Sequence, residues 1–201
     1  MFSLLSTLIH IINSIFSGLY TNRFLKAKYS KSTTVIVWSG IYFVIQTVIF
    51  DVIHSWYPFN DLTGVVVNVL LLVVMQWIFY RKEVSGQLFV CFSFVAGKEI
   101  VKYIASVLNV ALGVVGSGCM NTLIMQGKII TSTQVEVANN IMIFIMSFAS
   151  AILYALIFWI YLLLINKKYV RKEYQLKVRE NIFLILPSIA AICISITLKM
   201  M

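Results

Sequence analysis

Long apolar runs separated by short polar connections constrain this chain more than any other feature. A helix needs about 20 predominantly apolar residues to cross the hydrocarbon core of a bilayer. Six stretches meet or approach that length, at about 2–21, 33–55, 62–80, 87–112, 138–165 and 181–198. They are apolar on nearly every side instead of alternating apolar and polar, which predicts helices and not barrel strands. Hydrophobic residues make up 61% of the chain and charged residues 11%, with a mean hydropathy of +0.95. A soluble domain carries roughly 25% charged residues and could not hide this much apolar surface in one core. The sequence therefore predicts an all-α polytopic membrane protein, a bundle of about six transmembrane helices forming one domain over residues 1–201. It argues against a soluble enzyme, a nucleic-acid module and a disordered chain.

The formal net charge is +9, and the positions of the positive charges predict orientation. Arg23, Lys26, Lys28 and Lys31 follow the first run, and Arg81 and Lys82 follow the third. Lys167, Lys168, Arg171, Lys172, Lys177 and Arg179 follow the fifth, so these three connections hold twelve of the 16 Lys and Arg residues. The second and fourth connections hold only Lys128. Cytoplasmic loops carry the excess of Lys and Arg, so the odd-numbered loops are expected in the cytoplasm of a cell-membrane protein and the N-terminus outside. An even number of crossings then puts the C-terminus outside as well. The first run has its basic residues after the apolar stretch, the reverse of a signal peptide, and reads as a retained helix.

The fourth run contains the most informative residues. Lys98, Glu99 and Lys102 interrupt an otherwise apolar helix near its middle. Charges inside a membrane helix are costly and face a bundle interior or a wet cavity. Two readings stand side by side: a polar pocket that meets a ligand or moves in signalling, or a buried Glu99–Lys102 pair acting as interhelical glue with Lys98 snorkelling. Asp51 and His54 lie three apart beside Trp56, Tyr57 and Pro58 in the expected second loop. They are candidates for ligand contact or parts of an ordinary interfacial turn.

The stretch 113–137 contains Gly113, Gly116 and Gly118 and is expected to be a flexible outer loop. The basic amphipathic segment 169–180 is expected to lie on anionic lipid. Pro187 is expected to kink the sixth helix. Cys91, Cys119 and Cys193 lack metal or disulfide spacing and read as buried, inert thiols. With only His10 and His54 as histidines, no catalytic constellation, metal site or cofactor site is expected.

With this topology in place, three phrases carry a resemblance. Arg23-Phe-Leu-Lys-Ala-Lys-Tyr-Ser-Lys31 follows helix one, Ile78-Phe-Tyr-Arg-Lys82 follows helix three, and Leu184-Ile-Leu-Pro187-Ser188 opens helix six after the basic connector. Their order resembles the N-terminal membrane sensor region of GHKL-type sensor histidine kinases of Gram-positive bacteria, the accessory-gene-regulator and virulence-sensor class. The resemblance covers nearly the whole chain through short motifs. It implies a peptide-sensing, quorum-sensing input module of a two-component system, meeting its ligand on the outer face and working as a homodimer. In that family a phospho-accepting His and an ATP-binding domain follow the membrane part, and this sequence carries neither. Two other roles fit the same topology: a substrate-binding subunit of a small-molecule importer and a bacteriocin-immunity-like protein. The few polar groups in helices other than the fourth weigh against a small-molecule site, which wants several convergent polar groups.

Overall fold

Ser30 starts the second helix: its hydroxyl accepts the Thr33 backbone N–H at 3.3 Å, an N-cap that satisfies one of the free donors of the first turn. In the computed structural model, residues 4–48, 61–81, 84–127, 132–169, 185–194 and 197 are described. Among them six helices occur: α1 (Leu4–Phe24), α2 (Lys31–Ile45), α3 (Asp61–Phe79), α4 (Val84–Met125), α5 (Ser132–Tyr169) and α6 (Ile185–Ile194). The single isolated bridge, Ala27 to Tyr80, is the one β interaction among the described residues. Leu4–Phe24, Val84–Met125 and Thr133–Ile165 are long and apolar enough to cross a membrane. Gly64–Phe79 and Ile185–Ile194 are apolar but shorter. The described part of α2 has 15 residues and widens into a π turn at 46–48.

Helix α1 packs against α2, α4 and α5, and α3 packs against α4 and α2. Aromatic rings fill the middle of the bundle. Phe158 of α5 meets Phe16, Phe94, Tyr154 and Tyr161 with ring centroids 5.3–6.3 Å apart. Trp38 sits edge-on to Phe79 and Tyr80. Such edge contacts add to the large areas that aromatic side chains bury.

The bundle carries polar groups within its apolar interior and large apolar side chains over its surface. Its interior holds Asn13, Ser17, Gln46, Asn68, Gln76, Gln87 and Glu99, whereas Ile36, Val110, Val114 and Leu164 are among the most exposed side chains. That distribution suits a chain whose surrounding solvent is hydrocarbon, where polar groups must find partners inside.

The connections after α1 and α3 meet at one end. Lys28 N–H donates to Phe79 O and Arg81 N–H to Lys26 O, both at 3.0 Å. Lys28 Nζ also reaches Trp77 O at 2.6 Å and Ile78 O at 3.0 Å, so a cation closes the negative C-terminal end of α3. Lys167 and Lys168 lie in the last turn of α5, which runs toward the same end. The first and third basic connections and the C-terminal end of α5 therefore share one end among the described residues.

The fourth and fifth helices depart from the expected boundaries. Instead of ending near 112 and resuming at 138, α4 runs for 42 residues and α5 for 38, about 63 and 57 Å of helix. The expected flexible loop at 113–137 is corrected: residues 113–125 are helical, and Gly127, with φ +65°, ends the tract. The three glycines lower helix propensity, but Gly116 makes room for Met146 of α5, so packing between the two helices overrides local preference. Pro187 lies within the described residues of α6. Residues 181–184, on which its expected kink depends, lie outside the described ones.

Candidate functional site

Several polar side chains of the interior meet at one level of the bundle. Asn68 of α3 accepts two hydrogen bonds on Oδ1, from Tyr42 Oη at 2.7 Å and from Gln46 Nε2 at 3.2 Å. Gln46 Oε1 in turn accepts from Lys98 Nζ at 3.3 Å. The backbone widens at Gln46 into the π turn, and such turns recur at functional positions because they re-aim a side chain. Across the bundle, Tyr154 Oη donates to Asn13 Oδ1 at 2.7 Å. Tyr154 lies within electrostatic reach of both Glu99 and Tyr42. The two halves thus form one layer drawn from α1, α2, α3, α4 and α5.

A second tier lies one to two turns toward the basic end. Ser93 Oγ donates to Phe89 O at 2.6 Å, so Tyr20 Oη, 2.8 Å away, is the donor to Ser93 Oγ. Tyr161 Oη donates to Ser93 O, and Trp38 Nε1 to Ser17 Oγ. The Tyr161 ring lies directly over Gly97, where no Cβ could fit. Gly97 precedes Lys98, so this close approach fixes the rotation of α4 that turns Lys98 toward Gln46.

The fourth-helix charges divide differently from the Glu99–Lys102 pair of the interhelical-glue reading, the other reading being a polar pocket. Glu99 is buried at 6% exposure, whereas Lys102 is exposed. Lys98, expected to snorkel, is the lysine that turns inward. Lys102 stands a turn further along α4, and its long stem carries the ammonium outward. Asp51 and His54 lie outside the described residues, as do Trp56, Tyr57, Pro58, Arg171 and Lys172. Arg23, Lys26, Lys28 and Lys31, expected at the lipid surface, all lie at the basic end described above. The thiols divide as well: Cys91 is buried as expected, but Cys119 and Cys193 are exposed. Cys193 lines an apolar groove together with Val69 and Leu70 of α3 and Phe92 of α4.

Asn13, Tyr42, Gln46, Asn68 and Tyr154 were not singled out by sequence as site residues. Their signal was present, since a lone amide in an apolar membrane run is itself costly and needs a partner. Which amide meets which lysine depended on the packing. Asn13 Nδ2 has no acceptor among the described residues, which leaves a buried donor available within the layer. Chemically the layer offers an ammonium, a carboxylate, two phenols and three amides in low dielectric. That set can hold a small polar ligand or relay a change in charge between helices.

No protein-family model, curated protein or solved structure matches this chain. The geometry of the polar layer therefore carries the functional reading.

Proposed function

We propose that this chain is a multi-pass membrane module that senses or binds a ligand through the layer built around Lys98 and Glu99. In this reading it crosses the cell membrane about six times, with the basic connections in the cytoplasm and the N-terminus outside. The meeting of the first and third basic connections with the end of α5 supports that orientation. The observation that carries the reading is the hydrogen-bonded sequence from half-buried Lys98 through Gln46 and Asn68 to Tyr42. It links α2, α3 and α4 at the level where the bundle gives way to the projecting α4–α5 hairpin. A charge change at Lys98 or Glu99 is felt by every helix that reaches the layer, which is what an input module requires.

The resemblance to GHKL sensor regions makes a peptide on the outer face the proposed ligand, with a kinase as the output. The chain of Tyr42, Asn68 and Gln46 ending on Lys98, with the Asn13–Tyr154 pair across the bundle, favours a second reading. It supplies the polar groups that a substrate-binding importer subunit needs, which the sequence alone had not brought together.

A thermal-shift screen of the purified chain tests binding, with peptide-containing culture medium and with small polar nutrients as separate pools. Binding at the layer is expected to raise the midpoint for the native chain and not for Glu99→Gln. A shift that survives both Glu99→Gln and Lys98→Gln would remove the layer from the proposal. The reading frame and neighbouring genes separate the two readings. Continuation into an ATP-binding kinase domain supports the sensor, and transport ATPase genes alongside support the importer.

A further inference from the structure

Past Ala105, Gly116 is the one buried residue of α4 among those described. Gly116 faces Met146 and Met142 of α5. Turned away from that contact, Val107, Val110, Val114, Ser117, Asn121 and Ile124 succeed one another at alternating spacings of three and four. This is a heptad seam, with Val107, Val114 and Asn121 at a and Val110, Ser117 and Ile124 at d. All six are exposed, Val110 and Val114 at 70% and 67%. Ser117 turns its hydroxyl back onto Val114 O of its own helix at 2.9 Å, so its outer surface is nearly apolar. Gly113 and Gly118 occupy the flanking g and e positions, and a Cβ at either would meet nothing within 4 Å. Unlike Gly116, neither glycine admits a neighbouring side chain among the described residues.

We infer that this face of α4 pairs with the same face of a second copy of the chain. Membrane insertion gives both copies the same orientation, so the two helices run parallel about an axis normal to the bilayer, and a meets a while d meets d. β-Branched Val at a favours two strands, and a lone Asn at a pairs with its own counterpart and fixes register. The bare flanks at Gly113 and Gly118 let the backbones approach closely. From Tyr103 to Gly127 the chain carries no charged residue, so identical copies meet without repulsion. Covering side chains exposed to this degree removes on the order of 600 Å² per copy, enough for a pair to reach the lower range of stable interfaces. The pairing holds in either surrounding, through the valines in water and through Asn121 and the glycines in hydrocarbon. It is independent of the proposed sensing role.

Cysteine crosslinking of the full chain in native membranes tests the pairing. The background is Cys119→Ser with Cys193→Ser, leaving buried Cys91 in place. Single substitutions Val107→Cys, Val110→Cys, Val114→Cys and Ser117→Cys probe the seam, and Val115→Cys, which is also exposed, is the off-seam control. Mild oxidation is expected to give at least about fivefold more covalent dimer at the seam positions than at Val115, following the heptad. Adding Gly113→Leu to Val114→Cys is expected to reduce that dimer while leaving the amount of membrane-inserted protein unchanged. Absence of dimer at every position, equal dimer at Val115, or a maximum on another face would overturn the inference. The seam would then be covered by lipid or by a different protein.

Discussion

Asn68 concentrates two donors on one oxygen, and this makes it the residue on which the α2–α3 contact depends. Removing an acceptor that serves two buried donors leaves both unsatisfied, whereas removing one donor leaves the other bond intact. Asn68→Leu is expected to destabilise the protein by about 1–3 kcal/mol. Tyr42→Phe is expected to cost nearer ~0.6 kcal/mol, the scale of a single interhelical bond in a membrane. Unfolding titrations in mixed micelles measure both, and equal losses would mean that the shared acceptor is not what couples the helices. The two lysines of α4 give a second contrast. Lys98→Met deprives Gln46 Oε1 of its donor, while Lys102 is exposed. The same assay is expected to show a clear loss for Lys98→Met and little change for Lys102→Met.

Close approach between helices is set by a few positions without a side chain. Gly97 admits the Tyr161 ring, and Gly18 admits Ser39 and Trp38 of α2, with a Cβ there only 2.7 Å from Ser39 Oγ. Gly97→Ala would push a rigid ring out of place or rotate α4, at an overpacking cost of about 1–3 kcal/mol. Combining it with Tyr161→Leu should recover part of the loss, because the obstacle is the ring. Gly40 lies in the exposed face of α2, and a Cβ there would meet nothing within 4 Å. Gly40→Ala is therefore expected to be neutral or stabilising by up to ~1 kcal/mol through helix propensity. Thermal midpoints of the three variants check the ordering, and a Gly40→Ala loss as large as that of Gly97→Ala would contradict it.

At the scale of the molecule, one end is stitched and basic and the other extends into a hairpin. The backbone bonds between Lys26, Lys28, Phe79 and Arg81 hold the first and third connections together at one end of the bundle, which the proposed orientation places in the cytoplasm. Cysteines introduced at Lys26 and Arg81 should react with a membrane-impermeant maleimide only after the cytoplasmic side is opened. A cysteine at Gly127, at the far end of α4, should react in intact cells. Labelling of Lys26→Cys and Gly127→Cys from the same side would refute the orientation.

What the sequence determined alone follows from terms that are summed over many residues or set locally. Apolar runs read as helices because the backbone must satisfy itself in hydrocarbon, and the basic clusters were legible because charge is counted loop by loop. The importance of the fourth-helix charges was legible too, since an ionisable group in an apolar run always needs a reason. Tertiary structure decided the rest. The three glycines at 113–118 read locally as a loop, yet a packed partner helix carries α4 through them to Met125. Glu99 and Lys102 stand at pairing distance along the sequence, yet the Tyr161 ring over Gly97 turns Lys98 inward and leaves Lys102 outside. Tyr42 and Gln46 stand one turn apart on α2, but Asn68 and Lys98 lie far along the chain, and only the crossing of α2, α3 and α4 makes them one layer. Partner choice in a bundle is a property of helix rotation and depth, fixed by contacts among residues far apart in the chain, and no single segment encodes it.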